Sequence, residues 1–209
     1  MKTIIKTELE QMEKQARTNL VNSLSGIQAA NLIGSKSLSG ISNVAIFNSV
    51  MHIGAHPALM GFILRPISVQ RNTYQNIVDT GYFTINSVNE TYYKQAHQTS
   101  ARYEVSEFEA CGFKEWYSSF IPAPYVAESA LKIGLKLESI TPIPLNDTLL
   151  IIGSVQEIIL DESLLNQDHT IAHDKMGNIG VIGLDTYCSI QKIAQLSYAK
   201  PGKEPVEIN

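Results

Sequence analysis

Residues 65–77, reading Arg65-Pro66-Ile67-Ser68-Val69-Gln70-Arg71-Asn72-Thr73-Tyr74-Gln75-Asn76-Ile77, carry the residue types best suited to gripping an anion. From Ser68 the pattern reads as a helix through Val78, closed by Asp79-Thr80-Gly81 with Gly81 at the C′ position. The first turn of a helix leaves backbone N–H groups without internal partners at the positive end of its dipole, which favours a phosphate. Arg71 adds a bidentate donor and Thr73 a hydroxyl close to that turn. The same residues admit a plainer use, in which Ser68, Asn72 or Thr73 only caps the helix and Arg71 is a solvated charge.

A second candidate is the strand over residues 42–50. Asn43, Ala45, Phe47 and Ser49 share one face, while Val44, Ile46, Asn48 and Val50 share the other. One face is rich in small and polar groups for a buried strand, which marks a place for a ligand to lie. No Ser/His/Asp or Cys/His arrangement offers acid–base or nucleophilic catalysis. His52 and His56 flank Gly54 without a third ligand nearby, and no metal is expected. His169 and His173 sit with Asp168 and Asp174 in a polar, solvated turn. Trp116, Tyr117, Phe120 and Tyr125 suit core or dimer packing better than a substrate cover.

The elements that must position these residues follow from periodicity. Residues 7–17 space Leu9, Met12 and Ala16 as a short amphipathic surface helix. Residues 28–35 and 42–50 form a hairpin turning at Ser37-Leu38-Ser39-Gly40. His56-Pro57 breaks the chain, residues 58–64 form an apolar strand, and residues 82–88 alternate as another. Residues 90–99 and 106–110 read as helical, and residues 116–125 as a loop or lid. Leu131, Ile133, Leu135 and Leu137 alternate strictly with Lys132, Gly134, Lys136 and Glu138, a half-buried antiparallel strand. A turn over residues 142–147 leads to a strand over 148–160, bent at Gly153. A polar loop spans 161–178, and residues 179–182 form the last strand. The count is six to eight strands and two or three helices. Their short connections favour a closed or nearly closed antiparallel barrel.

The 209 residues are expected to form one domain, with the helix at 7–17 and a tail over 183–209 as extensions. Hydrophobic residues at 44% and charged residues at 17% suit a packed core. A net charge of −4 argues against a nucleic-acid partner. Apolar runs are too short to span a bilayer, and no signal peptide is evident. Cys111 and Cys188 are too few for a disulfide framework and read as small buried hydrophobes, which fits a reducing cytoplasm.

Residues 40–50, Gly40-Ile41-Ser42-Asn43-Val44-Ala45-Ile46-Phe47-Asn48-Ser49-Val50, followed by His56-Pro57-Ala58-Leu59-Met60-Gly61-Phe62, resemble the flavin reductase-like FMN-binding family. The likeness continues through Arg71-Asn72-Thr73-Tyr74-Gln75-Asn76-Ile77, Thr80-Gly81-Tyr82-Phe83-Thr84-Ile85-Asn86, His97-Gln98-Thr99-Ser100-Ala101, Ser106-Glu107-Phe108-Glu109 and Gly153-Ser154-Val155, over roughly residues 25 to 160. The resemblance implies a mainly β fold with flanking helices, an antiparallel Greek-key split β-barrel that forms a homodimer with FMN near the subunit interface. It places Asn43, Val44, Ala45, Ile46, Phe47, Asn48, Ser49 and Val50 along the isoalloxazine and ribityl chain. It puts Arg71 and Thr73, with Arg65, on the phosphate, and His97, Gln98, Thr99 and Ser100 beside the flavin. The implied activity is NAD(P)H-dependent reduction of flavin or a small acceptor. Hydride chemistry would be carried by FMN, with no catalytic side chain. The alternative is a flavoredoxin-like electron carrier serving a redox protein partner. Many reductases of the family have Gly-Asp-His where this chain has Asn146-Asp147-Thr148, which puts nicotinamide use in question.

Overall fold

The computed structural model describes residues 1–69 and 71–208, so Gln70, inside the expected anion-gripping stretch, lies outside the described residues, as does Asn209 at the end of the tail. In chain order the helices are α1 (Lys6–Gln11), α2 (Lys14–Ser23), α3 (Asn72–Thr80), α4 (Tyr93–Gln98) and α5 (Glu107–Cys111). The first six strands are β1 (Ile27–Ala29), β2 (Asn31–Lys36), β3 (Ser42–Phe47), β4 (Met51–Ala55), β5 (Ala58–Leu64) and β6 (Tyr82–Ser87). The remainder are β7 (Glu115–Trp116), β8 (Tyr125–Val126), β9 (Leu131–Ile143), β10 (Thr148–Leu160), β11 (Ile179–Ile182) and β12 (Thr186–Ser189).

Seven strands form one antiparallel sheet in the order β3-β2-β6-β9-β10-β5-β4. The alternation read in β9 turns Leu131, Ile133 and Leu135 into a core shared with Ile33, Phe62, Leu64, Ile77, Phe83, Ile85 and Ile151. The two ends of the sheet curl together. Phe47 on β3 meets Phe62 on β5 edge to face at 4.9 Å between ring centroids. A second core lies on the other side of β2 and β3, where Leu32 and Val44 pack with Tyr92, Ala96, Phe108 and Phe113. The phenol of Tyr92 is pushed up to about 12 by burial, and it donates to the Ser87 carbonyl at 2.5 Å.

Several boundaries differ from the sequence expectation. The N-terminal helix is two helices, because Met12 is extended and Glu13 caps α2 by accepting from the Ala16 N–H at 3.0 Å. The stretch 28–35 splits at Ala30 into β1 and β2, which enter different sheets. The strand at 42–50 stops at Phe47, and β4, to which the sequence reading gave no element, follows before the His56-Pro57 break. The helix expected from Ser68 starts at Asn72, after an extended Arg71, but Gly81 ends it at φ +75° as expected. The helix placed at 90–99 contracts to α4, and the one at 106–110 begins after a Ser106 cap. The loop at 116–125 is pinned at its ends by the β7–β8 pair. Strand β9 runs on through Pro142 to Ile143, and β12 adds a strand after β11. The bend at Gly153 is present as a register irregularity between Ile152 and Gly153. Among the described residues there are twelve strands and five α-helices, the surplus being pieces too short for periodicity to register. None of the helices is long and apolar enough to cross a membrane.

Candidate functional site

Helix α3 lies against β2 and β3 because Thr73, Asn76 and Ile77, spaced three and four apart, form its buried stripe. Ile77 enters the barrel core, while the two polar residues meet polar groups. Asn76 Nδ2 donates to Ser35 Oγ at 3.1 Å, and Asn43 Nδ2 lies 2.9 Å from Thr73 Oγ1. The sequence therefore placed Asn43 and Thr73 thirty residues apart, and the fold joins them.

The start of α3 presents several hydrogen-bond donors. Its first helical bond is Gln75 N–H to the Arg71 carbonyl, at 3.1 Å. The N–H groups of Asn72, Thr73 and Tyr74 have no acceptor among the described residues, and no side chain caps the helix. Arg71 is half-buried, and its Nε is a buried donor without a partner among the described residues. Buried donors left unpaired are costly, and a phosphate is the acceptor that would satisfy guanidinium and helix end together. The residues present fit the phosphate of a flavin nucleotide on this ground. Arg65 is exposed in the preceding loop.

Beside the cluster sits Glu107, first residue of α5, half-buried against the start of β3. Burial holds its carboxyl above the ordinary carboxylate range, opposed by hydrogen bonds from its own N–H and that of Val44. The Asn43 amide, turned over, brings its nitrogen 3.1 Å from Glu107 Oε2 and its oxygen 2.9 Å from Thr73 Oγ1. Next to these, Ser42 Oγ donates to Glu115 Oε1 at 2.5 Å and lies 3.0 Å from Ser106 Oγ. Tyr117 OH donates to the other Glu115 oxygen at 2.5 Å, with Lys36 Nζ 4.5 Å above its ring. Ser35, Ser42, Asn76 and Glu115 were not singled out by sequence, since each partner lies far off in the chain.

The face of β3 that looked open in sequence is partly engaged by the protein itself, with Ala45, Phe47 and Ser49 half-exposed. Asn43 turns to α3, Phe47 into the barrel, and Ser49 Oγ both donates to the Ile63 carbonyl at 3.0 Å and accepts from the Ile63 N–H at 3.1 Å. The opposite face is closed as far as Ile46, since Val44 is buried and Ile46 packs on the second core. Along the free edge, the Ile46 N–H donates to Thr99 Oγ1 at 3.0 Å, and Thr99 donates in turn to the Ala96 carbonyl at 2.7 Å. Half-exposed groups remain from Ala45 to Val50, where Asn48 Nδ2 donates to the Gly183 carbonyl at 2.7 Å. His97 Nδ1 lies 2.8 Å from Tyr187 OH, Gln98 Nε2 donates to Tyr103 OH at 2.8 Å, and Ser100 is exposed. Of those four residues, Thr99 is the one that hydrogen-bonds β3 among the described residues. Thr148 Oγ1 donates to Asn146 Oδ1 at 2.7 Å at the head of β10. Two concavities of the single chain lie elsewhere, one between α2 and the β11–β12 turn and one among residues 166–175 and 190–195.

The sequence matches the flavin reductase like domain over residues 28–180. The chain belongs to the flavin reductase-like family. Among solved structures, a protein from Shewanella frigidimarina NCIMB 400 assigned as a flavin reductase with a split barrel domain is 41% identical. It superimposes on this flavin reductase-like chain with a TM-score of 0.92, covering 95% of this chain and all of that one. Nitrilotriacetate monooxygenase component B from Bacillus cereus, 20% identical, gives a TM-score of 0.83 over 94% of this chain and 98% of its own. The flavoredoxin of Desulfovibrio vulgaris (Miyazaki F), also 20% identical, gives 0.72 over 97% and 98%. The antiparallel split β-barrel is the fold of this family member.

Proposed function

We propose that the chain binds FMN and acts as an NAD(P)H-dependent oxidoreductase that reduces flavin or a small acceptor. The observation that carries this is that Arg71 Nε and the N–H groups of Asn72, Thr73 and Tyr74 at the α3 N-terminus have no acceptor among the described residues, a demand a phosphate would meet in a flavin reductase-like barrel. Arg71, the Thr73 hydroxyl and the first turn of α3 would hold the phosphate. The four-residue step from Asn43 to Phe47 spans about 13 Å of strand, which lets the sugar chain run along β3 toward the half-exposed end at 47–50. There the backbone from Phe47 to Val50 and the Asn48 amide would orient the ring. Arg65 and Ser100 stand as outer contacts, while Thr99, His97 and Gln98 shape the wall through the bonds already described.

When bound, flavin supplies hydride and electron transfer at its ring, so the protein needs no acid–base pair. What the chain contributes is position: the charge-paired phosphate fixes one end, and the rigid β3–α4 seam fixes the other. The edge strand β4 leaves Met51 and Ile53 exposed. A homodimer joined near that edge would deepen the site and cover these side chains.

The rival is a protein-to-protein electron carrier of the flavoredoxin kind, and Thr148 favours it, standing where many reductases of the family carry histidine. The separating experiment is anaerobic. NADH and then NADPH are added to the FMN-loaded protein while the visible flavin band is followed. Prompt bleaching by either supports the reductase; bleaching by dithionite alone supports the carrier. Failure of the purified protein to bind FMN at all defeats both.

A further inference from the structure

We propose that Glu107 controls phosphate binding at the α3 N-terminus through Asn43, so that proton uptake by Glu107 frees the Thr73 hydroxyl to donate to the anion. The inference rests on the FMN-phosphate reading above and names a positioning residue for that site. Asn43 is 5% exposed and can seat its amide in two ways. With Glu107 ionised, the amide nitrogen faces Glu107 Oε2 at 3.1 Å. The amide oxygen then accepts from Thr73 Oγ1 at 2.9 Å. In that state the one proton of the Thr73 hydroxyl is committed to Asn43. With Glu107 protonated, its O–H donates to the Asn43 oxygen. The amide nitrogen then donates to Thr73 Oγ1 at 2.9 Å and reaches Ser35 Oγ at 3.4 Å. Thr73 now accepts from Asn43, and its own proton is available to a phosphate oxygen.

The proton comes from solvent, and no bond other than the Glu107 O–H forms. Two effects favour the protonated state once a dianion arrives: the released donor, and the removal of a like charge from the same polar cluster. Burial already biases Glu107 in this direction. Of the elements packed on α5, β3 has no titratable side chain. Helix α4 brings Tyr93, Lys94 and His97, with Lys94 Nζ 5.9 Å from the Tyr93 ring and His97 on Tyr187. On α5 itself are Glu109 and Cys111, the thiol pushed up by burial and by the Glu107 charge. Glu115 is reached through Ser42 and Ser106, and Arg71 stands at the α3 N-cap.

The test is FMN affinity between pH 6.5 and 8.5, read by flavin fluorescence, for wild type, Glu107→Gln and Arg71→Ala, with riboflavin as the phosphate-free probe. A glutamine presents its NH2 to the Asn43 oxygen and stands in for the protonated acid. Wild-type affinity for FMN is expected to fall with rising pH, by up to about tenfold per unit for one linked proton. The Glu107→Gln profile is expected to be nearly flat, and riboflavin flat in both. Above pH 7 the FMN phosphate is largely a dianion, and its own ionisation would strengthen binding with pH, the opposite sign. Calorimetry of FMN binding to the wild type in two buffers of different ionisation enthalpy gives the proton count without any variant, and uptake of a proton is expected. Zero uptake, or the same slope for wild type and Glu107→Gln, overturns the role of Glu107. Should Arg71→Ala leave FMN affinity unchanged, the phosphate placement itself is wrong; should Arg71→Ala weaken it while Glu107→Gln tracks wild type, only the Glu107 inference fails.

Discussion

The carbonyl oxygen of Pro124 occupies the space that a Cβ at Gly34 would need, and it accepts a 2.6 Å hydrogen bond from Thr84 Oγ1 on the next strand. The segment leading into β8 is thereby strapped to the outside of the barrel. Val126 N–H donates to Asn86 Oδ1 at 3.0 Å, and Tyr125 OH donates to Glu157 Oε1 at 2.7 Å, joined there by Ser118 Oγ. Burial and the Glu157 charge hold the Tyr125 phenol protonated far above its ordinary value.

A Gly34→Ala change must therefore push a backbone carbonyl, not a flexible side-chain end. It is expected to lower stability by about 2 kcal/mol or more, the range for overpacked interiors. Denaturant unfolding measures this. A cost under a few tenths of a kilocalorie would show that the strap yields freely.

Ser49→Ala tests the junction between the two ends of the sheet. The β4–β5 ladder runs as far as Met51 opposite Gly61, and continuing that register brings Ser49 opposite Ile63. There the hydroxyl serves both backbone groups of Ile63. Alanine leaves that N–H and carbonyl unserved in a half-buried place, a loss of about 1–2 kcal/mol. The expected signature is a lower denaturant midpoint with an unchanged slope. An unchanged midpoint would mean that water replaces the hydroxyl without cost.

How far sequence could see this site depended on the range of each interaction. The barrel was legible because strand periodicity is local: β5, β6, β9 and β10 all alternate or run apolar. Gly81 was legible because a left-handed C-cap is a one-residue signal. The helix start was misplaced by four residues, since Ser68 is a good cap by type while it and Val69 lie in a turn and a bend and Arg71 is still extended. Strand β4 was missed because Met51-His52-Ile53-Gly54-Ala55 lacks a clean two-residue period and earns its place by pairing with β5. Ser49 reads as a ligand contact by type, yet its hydroxyl is held by Ile63. Nothing within a few residues of Asn43 announces that its partners are Thr73 and Glu107.

Arg71→Ala should weaken FMN binding by about 1.5–3 kcal/mol, the worth of hydrogen bonds to a charged group. Its Nε has no partner among the described residues, so the melting temperature without flavin should hardly change. The comparison of FMN with riboflavin sharpens the reading, because only the phosphate-bearing ligand should sense the substitution. Equal losses for both ligands would move Arg71 away from the phosphate.

Glu107 also makes a prediction about the unliganded protein, with a defined sign. Burial raises its folded-state value above the ordinary carboxylate range. At acid pH the group is neutral folded or unfolded and carries no penalty. As pH rises through the raised value, the folded chain must ionise a half-buried carboxyl, and stability falls. Glu107→Gln is free of that cost and keeps a donor for the Asn43 oxygen. It should melt higher than wild type near pH 8, with the difference closing near pH 4.5. Thermal unfolding of both proteins across that range, without flavin, decides the matter. A variant that melts lower at pH 8 would mean that the Val44 N–H and the Asn43 amide stabilise the charged form more than burial opposes it.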